Sequence, residues 1–251
     1  MSGHSKWSTI KRKKGANDAK RGAIFTRLAK EIAIAAREGG GDVDTNFSLR
    51  LAVDRARASN MPKDNIERAI KRGTGEDKSA AALEKITYEA YAPHGIALVI
   101  ECVTDNRNRT VADLRHVLGR YGGSMGEGGS VAWQFTRNAY FAFDLGSKSE
   151  DEVFELAVEA GADDVVFDED YVEIIAPMEA FKDISDSLKA ANIKVDESEL
   201  RHMPNQEIEL ESAKTVQVMK VIEDLEDLDD VQSVASNLAI SDEALAELEA
   251  A

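Results

Sequence analysis

The spacing of apolar residues divides the chain into a helical first part and a mixed second part. Between residues 17 and 75, apolar side chains recur three or four positions apart, as at Ile24, Leu28 and Ile32, which is the period of an amphipathic helix. Glycines interrupt the pattern where helices are expected to end, and Pro62 lies where a helix is expected to start. We therefore expect a three-helix bundle with short connections, its helices lying at about 17–39, 46–59 and 62–73 with Gly73 as the last stop.

From about residue 83 the pattern changes to short apolar or alternating runs, which are typical of strands. Strands are predicted at 87–91, 96–103 and 131–135, with a helix at 110–119 between the last two. Residues 139–201 are predicted to follow the order strand, helix, strand, strand, helix, strand, which is the split βαβ unit. Phe167–Tyr171 has the composition of a hairpin turn within it.

A last group of elements, at about 207–210, 213–226 and 231–236, is too small to form a domain alone. We expect it to complete the unit that begins near residue 83, so that one domain is inserted in another. The predicted class is α+β, a three-helix domain followed by two ferredoxin-like α/β domains. The predicted parts are a basic flexible tail at 1–16, a helical bundle at 17–75, a discontinuous middle domain at 83–136 plus 205–240, and an inserted domain at 138–203.

Charge is distributed unevenly along the chain. Residues 1–72 hold 17 Lys/Arg and 8 Asp/Glu, and the 179 residues beyond hold 14 and 39, which together give the net charge of −16. An acidic protein that concentrates its cations at one end is expected to meet a polyanion there, and nucleic acid is the obvious one. The candidate nucleic-acid contacts are Lys6, Trp7, Lys11, Arg12, Lys13, Lys14, Lys20, Arg27, Lys30, Arg37, Arg68, Lys71, Arg72, Arg107 and Arg109.

Two of these candidates, Arg107 and Arg109, lie in the segment 104–110 (Thr-Asp-Asn-Arg-Asn-Arg-Thr) between a predicted strand and a predicted helix. Thr110 with Asp113 fits a capping box, so the helix is expected to start there. Either its free N–H groups favour an anion over which the arginines close, or the segment is a turn held by Asx side chains with its arginines in water. The spacing alone leaves both interpretations open.

Several functional classes receive little support from the sequence. The G-x-S-x-G at 122–126 matches a nucleophile elbow, but a helix precedes it and a strand follows, which is the wrong order. The four histidines and Cys102 show no metal spacing. We therefore expect no enzyme activity, no cofactor and no metal. The single cysteine and the lack of a membrane span predict a cytoplasmic protein.

The acidic part of the chain has its own candidate role. The run 223–230, which contains Glu223, Asp224 and Asp230, lacks the spacing of a calcium loop and is interpreted as a solvated face. A basic protein partner on the acidic C-terminal domains is a second possibility. No feature decides the oligomeric state.

Several motifs together closely resemble those of the YebC family. They are Gly3-His4-Ser5-Lys6-Trp7, Asn60-Met61-Pro62-Lys63-Asp64-Asn65-Ile66, Tyr88-Glu89, the 104–110 segment and Gly129-Ser130-Val131-Ala132-Trp133. The first 136 residues carry the specific part of the match. The resemblance implies a helical bundle with two α/β domains, one inserted in the other, in a cytosolic protein that acts on gene expression. Because the opening motif begins at Gly3, we expect no cleaved presequence.

The resemblance also bears on the choice of nucleic acid. The family is described as probable DNA-binding transcriptional regulators, its mitochondrial members look like translational activators, and some bacterial members are linked to relief of ribosome stalling. The first hypothesis is an RNA- or ribosome-associated translation factor, in which Trp7 stacks on an unpaired base. The alternative is a DNA-binding transcriptional regulator with residues 62–72 in the major groove.

Overall fold

A computed structural model describes residues 18–77, 81–168 and 171–250. The predicted tail at 1–16 and the tip of the predicted hairpin at 169–170 lie outside this part. The structure is α+β, as predicted, with helices first and antiparallel sheets after them. No helix among the described residues is both long and apolar enough to cross a membrane.

Three helices form the bundle: α1 (Asp18–Gly39), α2 (Phe47–Ala58) and α3 (Lys63–Thr74). The Asn46 side chain caps α2 by accepting the N–H of Leu49 at 3.0 Å. Gly73 does not end α3, contrary to the prediction, because the helix continues to Thr74 and Gly75 caps it at a φ of 78°. Gly73 instead lies so close to the Ala33 carbonyl of α1 that a Cβ would collide with it.

The central sheet contains β1 (Glu84–Tyr91), β2 (Ala97–Thr104), β3 (Ser124–Met125) and β9 (Val231–Ser236). Their order is β3-β1-β2-β9 and every pairing is antiparallel. Helices α4 (Arg107–Arg120) and α7 (Ser212–Glu226) cover one face, where Leu98, Ile100 and Cys102 are fully buried. Burial raises the pKa of the Cys102 thiol to about 12, so it stays protonated.

The second sheet lies between β3 and β9 in the sequence. It is built from β4 (Phe135–Asp144), α5 (Glu150–Glu159), β5 (Asp164–Asp168), β6 (Tyr171–Pro177), α6 (Phe181–Ala190) and β7 (Glu197–Pro204). Its order, β5-β6-β4-β7, is that of the predicted βαββαβ plan. The central sheet varies this plan, because two strands precede its first helix.

Two further predictions about local structure are wrong. The predicted strand at 131–135 is a 3₁₀ turn, Ala132–Gln134, and the strand β4 begins only at Phe135. The N–H groups of Val131 and Ala132 bond the Glu89 carboxylate instead of a neighbouring strand. Helix α4 starts at Arg107 rather than Thr110, because Asn106 caps it by accepting the N–H of Arg109 at 3.1 Å.

The C-terminal segment contains more structure than the sequence pattern predicted. Strands β8 (Ile208–Glu209) and β10 (Leu238–Ala239) pair in parallel. A further helix, α8 (Asp242–Ala250), lies beyond the predicted end at residue 240, and its Leu245 and Leu248 are buried in the central core. Its short length and its many alanines and glutamates gave a weak apolar period.

The bundle packs against both the central sheet and the second sheet. Val103 of β2 packs with Ala33 and Ile34 of α1, and Phe47 of α2 meets Phe181 of α6 edge to face at 5.6 Å. Each part also has its own cluster of buried apolar residues. The division into domains and the boundaries between them stay a prediction.

Candidate nucleic-acid interface

Asp230, in the turn before β9, lies at the contact between the bundle and the central sheet. Its side chain is only 6% exposed, and Lys30 of α1 places its Nζ 2.7 Å from Oδ1. Arg109 Nη2 donates to Oδ2 at 2.8 Å, and the hydroxyls of Thr110 and Thr104 donate to the same oxygen at 2.8 and 3.1 Å. A buried carboxylate thus holds α1, β2 and α4 together.

These donors also set the charge state of Asp230. Burial alone would raise the pKa of the carboxyl, but the hydrogen bonds from Lys30, Arg109 and Thr110 outweigh it and hold the pKa at about 2. Asp230 is therefore ionised at neutral pH, and it neutralises cations that would otherwise repel each other inside the contact.

The contact continues outward through further charged groups. Arg109 also reaches Asp105 at 3.1 Å, and Asp105 lies 3.9 Å from Arg72 of α3. Arg72 donates to the Ala81 carbonyl at 3.2 Å, and Arg37 of α1 donates to the Leu83 carbonyl. We call this set the Asp230 seam; its members are Lys30, Arg37, Arg72, Glu84, Asp105, Arg107, Arg109 and Asp230. It contains five cations and three carboxylates.

Arg107 is the most exposed of the paired cations of the seam. Its side chain is 66% exposed, and its Nε donates to Glu84 Oε2 at 2.6 Å. The first turn of α4 contains no acidic residue and two arginines, although the positive end of a helix dipole favours acids there. Cations at the positive end of a helix leave a local excess of positive potential that an anion would relieve.

The two interpretations of the 104–110 segment can now be compared with its geometry. The Asx turn is present, since Asn106 caps α4 and its own N–H bonds the Thr104 hydroxyl at 2.9 Å. Arg109 is not simply in water, because it is paired with Asp230, while about half of its side chain (49%) stays exposed. The turn therefore presents arginines at the surface and fixes one of them.

The structure brings together only some of the predicted contact residues. Lys30, Arg37, Arg72, Arg107 and Arg109 converge at the seam. Lys30 is nearly buried there, with 13% of its side chain exposed, so its role is structural. Arg68 and Lys71 are exposed on α3, and Arg27 is half-buried on α1. The remaining candidates, Lys6, Trp7, Lys11, Arg12, Lys13, Lys14 and the side chain of Lys20, lie outside the described part.

Sequence reasoning missed the carboxylates of the seam. Asp230 was assigned to a solvated acidic face, but the structure buries it and thereby contradicts that part of the assignment. Asp224 of the same run is also engaged, accepting from the Tyr121 hydroxyl at 2.8 Å and lying 3.3 Å from Arg120. The available signal was that Asp230 immediately precedes an apolar strand, where side chains are usually buried.

A second ionic group joins the bundle to the second sheet. Arg55 of α2 lies 2.7 Å from Glu31 of α1 and 2.7 Å from Glu199 of β7. Glu199 is also 2.7 Å from Arg201, whose guanidinium lies 3.8 Å from the centre of the Tyr140 ring. We call this set, Glu31, Arg55, Glu197, Glu199 and Arg201, the Arg55 junction. It contains two cations and three carboxylates.

The pKa values of two acids of the Arg55 junction shift in opposite directions. Burial raises the pKa of Glu31 above its ordinary value, and the cation of Arg55 offsets this only partly. The pKa of Glu199 is lowered, because Arg201 and Arg55 together outweigh its burial. Glu199 thus receives two cations, while Glu31 shares one.

The glycine-rich loop after α4 gives no sign of a nucleophile elbow. Ser124 of the G-x-S-x-G lies on the short edge strand β3, with helix α4 before it, which reverses the order that an elbow needs. Among residues 18–77, 81–168 and 171–250, no three His, Cys, Asp or Glu side chains are grouped to hold a metal ion.

The fold defines a distinct class of three-part α+β protein. A helical bundle with more cations than carboxylates packs on a central antiparallel sheet, and a second, ferredoxin-like sheet precedes the last strand of the central sheet in the sequence. The chain belongs to the TACO1/YebC family. The family model for the N-terminal domain matches residues 5–76, and the model for the second and third domains matches residues 83–238.

Individual relatives align over nearly the full chain. A probable transcriptional regulatory protein of Borrelia turicatae is 51% identical over 243 residues, covering 97% of this chain and 99% of the relative. A protein of the same description from Syntrophus aciditrophicus is 47% identical and covers 100% of both chains. The crystal structure of a conserved hypothetical protein from Aquifex aeolicus superimposes with a TM-score of 0.83 at 37% identity, covering 90% of this chain and 93% of that one.

Proposed function

We propose that this protein is a nucleic-acid-binding regulator of gene expression that acts as an RNA- or ribosome-associated translation factor. The observation that carries the proposal is the cation excess of the Asp230 seam, whose Arg107 and Arg109 stay exposed at the start of α4. The regulatory names of the relatives from Borrelia and Syntrophus support a role in gene expression.

The distribution of the exposed cations favours RNA. They come from two parts of the fold, with Arg68 and Lys71 on α3 and Arg107 and Arg109 on α4. Cations that lie on both sides of the boundary between two folded parts suit the irregular backbone of folded RNA better than the groove of a straight duplex. The basic tail, with Lys11–Lys14, would add phosphate contacts that depend strongly on salt.

The alternative is a DNA-binding transcriptional regulator, and α3 is the helix that would enter the major groove. Its outer face is exposed and contains Arg68 and Lys71, which is what keeps this alternative open. The same face also contains Asp64 and Glu67, both exposed. Two carboxylates directed at a groove lined by phosphates weaken the fit, so we rank this function second.

The proposed function is not enzymatic, and we place the protein in the cytoplasm as part of the same proposal. Its cations are arranged around carboxylates that are already neutralised, as in a binding surface, and the serine of the G-x-S-x-G has no helix after it to form an elbow. Recognition of phosphate by arginine accounts for the surface without any reacting group.

The deciding experiment is sedimentation of the full chain with purified ribosomes on salt-stepped gradients, with long duplex DNA as competitor. The proposal predicts co-migration that survives the DNA and weakens as salt rises. An absence of co-migration, combined with saturable and sequence-dependent DNA binding, would replace the proposal by the alternative.

A pair of variants links the result to the seam. Arg107→Ala is expected to reduce ribosome binding several-fold, since it removes an exposed cation without a buried partner. Lys182→Ala removes an exposed cation from α6 of the second sheet and is the matched control. An equal loss in both variants would mean that only net charge matters.

A further inference from the structure

Trp133 is an exposed aromatic residue that none of the contacts described so far employs. Its side chain is 73% exposed, more than any other large apolar residue in the described part. It lies in the 3₁₀ turn Ala132–Gln134, between the glycine-rich loop and β4. The ring therefore presents flat apolar faces to solvent, on which another ring can stack.

The loop before Trp133 is fixed by a carboxylate of the central sheet. Glu89 of β1 accepts the N–H groups of Gly129, Val131 and Ala132 at 2.6, 2.6 and 2.8 Å. Burial would raise the pKa of Glu89, but these backbone donors outweigh it and lower the pKa below its ordinary value. The carboxylate therefore stays ionised and holds the loop in one conformation.

The indole ring is oriented by its own polar edge. Its Nε1 donates to the Ser130 carbonyl at 3.1 Å, and the Asn205 amide donates to the Trp133 carbonyl at 3.1 Å. With the N–H already bonded, the groups left for a ligand are the flat faces and the apolar edge of the ring. Such a ring recognises its ligand by stacking.

The surroundings of the ring favour a nucleobase over a protein surface. Exposed residues near it in the chain are small, polar or charged: Glu127, Gly128, Gly129, Ala132, Thr136 and Arg137. A protein anchor is normally enclosed by other groups that exclude water, whereas a base needs one flat aromatic face and nearby polar groups for its edge. Thr136 and Asn205, bonded to each other at 2.7 Å, supply such groups.

We propose that Trp133 is a stacking platform for one unpaired base of a single-stranded nucleic acid. The inference rests on the proposed function and adds a contact to it. Glu89, below the loop, and Glu84, in the seam, are five residues apart on β1, which is about 17 Å along a strand and places their side chains on opposite faces of the sheet. The base contact at Trp133 is therefore proposed as a contact separate from the phosphate contacts at the seam.

The test uses the intrinsic fluorescence of the ring. The chain has two tryptophans, so the full-length Trp7→Phe variant reports on Trp133 alone. We expect its emission to be quenched saturably by a single-stranded RNA of about 12 nucleotides, and far less by the same sequence as a duplex. Trp133→Ala should weaken binding of the single strand about tenfold, and Trp133→Phe should restore most of it.

Controls separate this inference from the proposed function. Phe154→Ala removes another exposed aromatic, on α5 of the second sheet, and should leave binding unchanged. If the RNA binds in a salt-dependent manner but Trp133 emission and the affinity of Trp133→Ala do not change, the stacking platform is refuted and the proposed function stands. If the wild type binds no single strand but still sediments with ribosomes, the stacking platform alone is refuted; if it does neither, both fail.

Discussion

The Asp230 seam and the Arg55 junction are both ionic contacts of the bundle, yet their charge balance differs. The seam holds five cations and three carboxylates, and its Arg107 is 66% exposed. The junction holds two cations and three carboxylates, and its most buried cation, Arg201, lies against the Tyr140 ring. In the seam the cations outnumber the carboxylates and an arginine is exposed at the surface. In the junction the carboxylates outnumber the cations.

This difference separates two uses of the same side-chain chemistry. Where carboxylates match or exceed the cations, each cation is occupied and the group serves to align two folded parts. Where cations exceed carboxylates, as in the seam, a buried acid fixes some of them. We propose that an exposed one such as Arg107, whose partner Glu84 is also exposed, exchanges that partner for an anion. The balance of cations and carboxylates is therefore the feature by which we distinguish a docking contact from the proposed binding surface.

The strongest way to break the seam is to remove its central acid. Asp230→Ala should lower the free energy of unfolding by about 3 kcal/mol, because Lys30 and Arg109 are left facing each other without a buried partner. Urea denaturation measures the change. Asp229→Ala, at the exposed neighbouring position, should change it by less than about 0.5 kcal/mol, and a similar loss in both variants would show that the turn, not the buried charge, matters.

Acid should weaken the same contact. The pKa of Asp230 in the folded state, about 2, lies below its ordinary value of 3.8, so its stabilisation is full above about pH 5 and disappears as the pH falls towards 2. We expect the wild type to lose about 2 kcal/mol from this group over that range. Asp230→Asn should lack this component in urea denaturation at stepped pH, and a variant that parallels the wild type would contradict the assignment.

The Arg55 junction should be easier to break, because it is less buried. Arg55→Ala is expected to cost about 1.5 kcal/mol of unfolding free energy, which is more than an exposed pair and less than a buried one. Arg55→Lys should recover only part of it, since one ammonium replaces a fork that spans Glu31 and Glu199. Full recovery of the unfolding free energy in Arg55→Lys would mean that the positive charge alone stabilises the contact.

The smallest expected effect on stability concerns Arg107, which we compare with Arg109 of the same seam. Arg107→Ala should change unfolding by less than about 0.5 kcal/mol and reduce the salt slope of nucleic-acid binding by about one. Arg109→Ala should weaken binding and also cost about 1.5 kcal/mol, because it removes a donor to buried Asp230. Equal losses of stability would refute this division between the two arginines.

The features of the fold and of the candidate site that could be predicted from the sequence are those determined by residues close together in the chain. The bundle, the βαββαβ order and most helix ends follow from apolar period, glycines and caps such as Asn46, all of which are short-range. The position of Asp230 just before a strand could have indicated its burial, but its pairing with Lys30 was not predictable, since the two residues are 200 positions apart. The turn at 132–134 failed for the same reason, because its partner, Glu89, is more than 40 residues away.

The pairing of β2 with β9 has a consequence for how the molecule is made. Cys102 of β2 lies opposite Val231, so the chain must be synthesised through the whole second sheet before the central one is complete. Until then β2, a buried and strongly apolar strand, has an open edge that other chains could pair with. Asp230 is delivered by the same late segment, so the surface that we assign to nucleic acid is assembled only when synthesis is nearly finished.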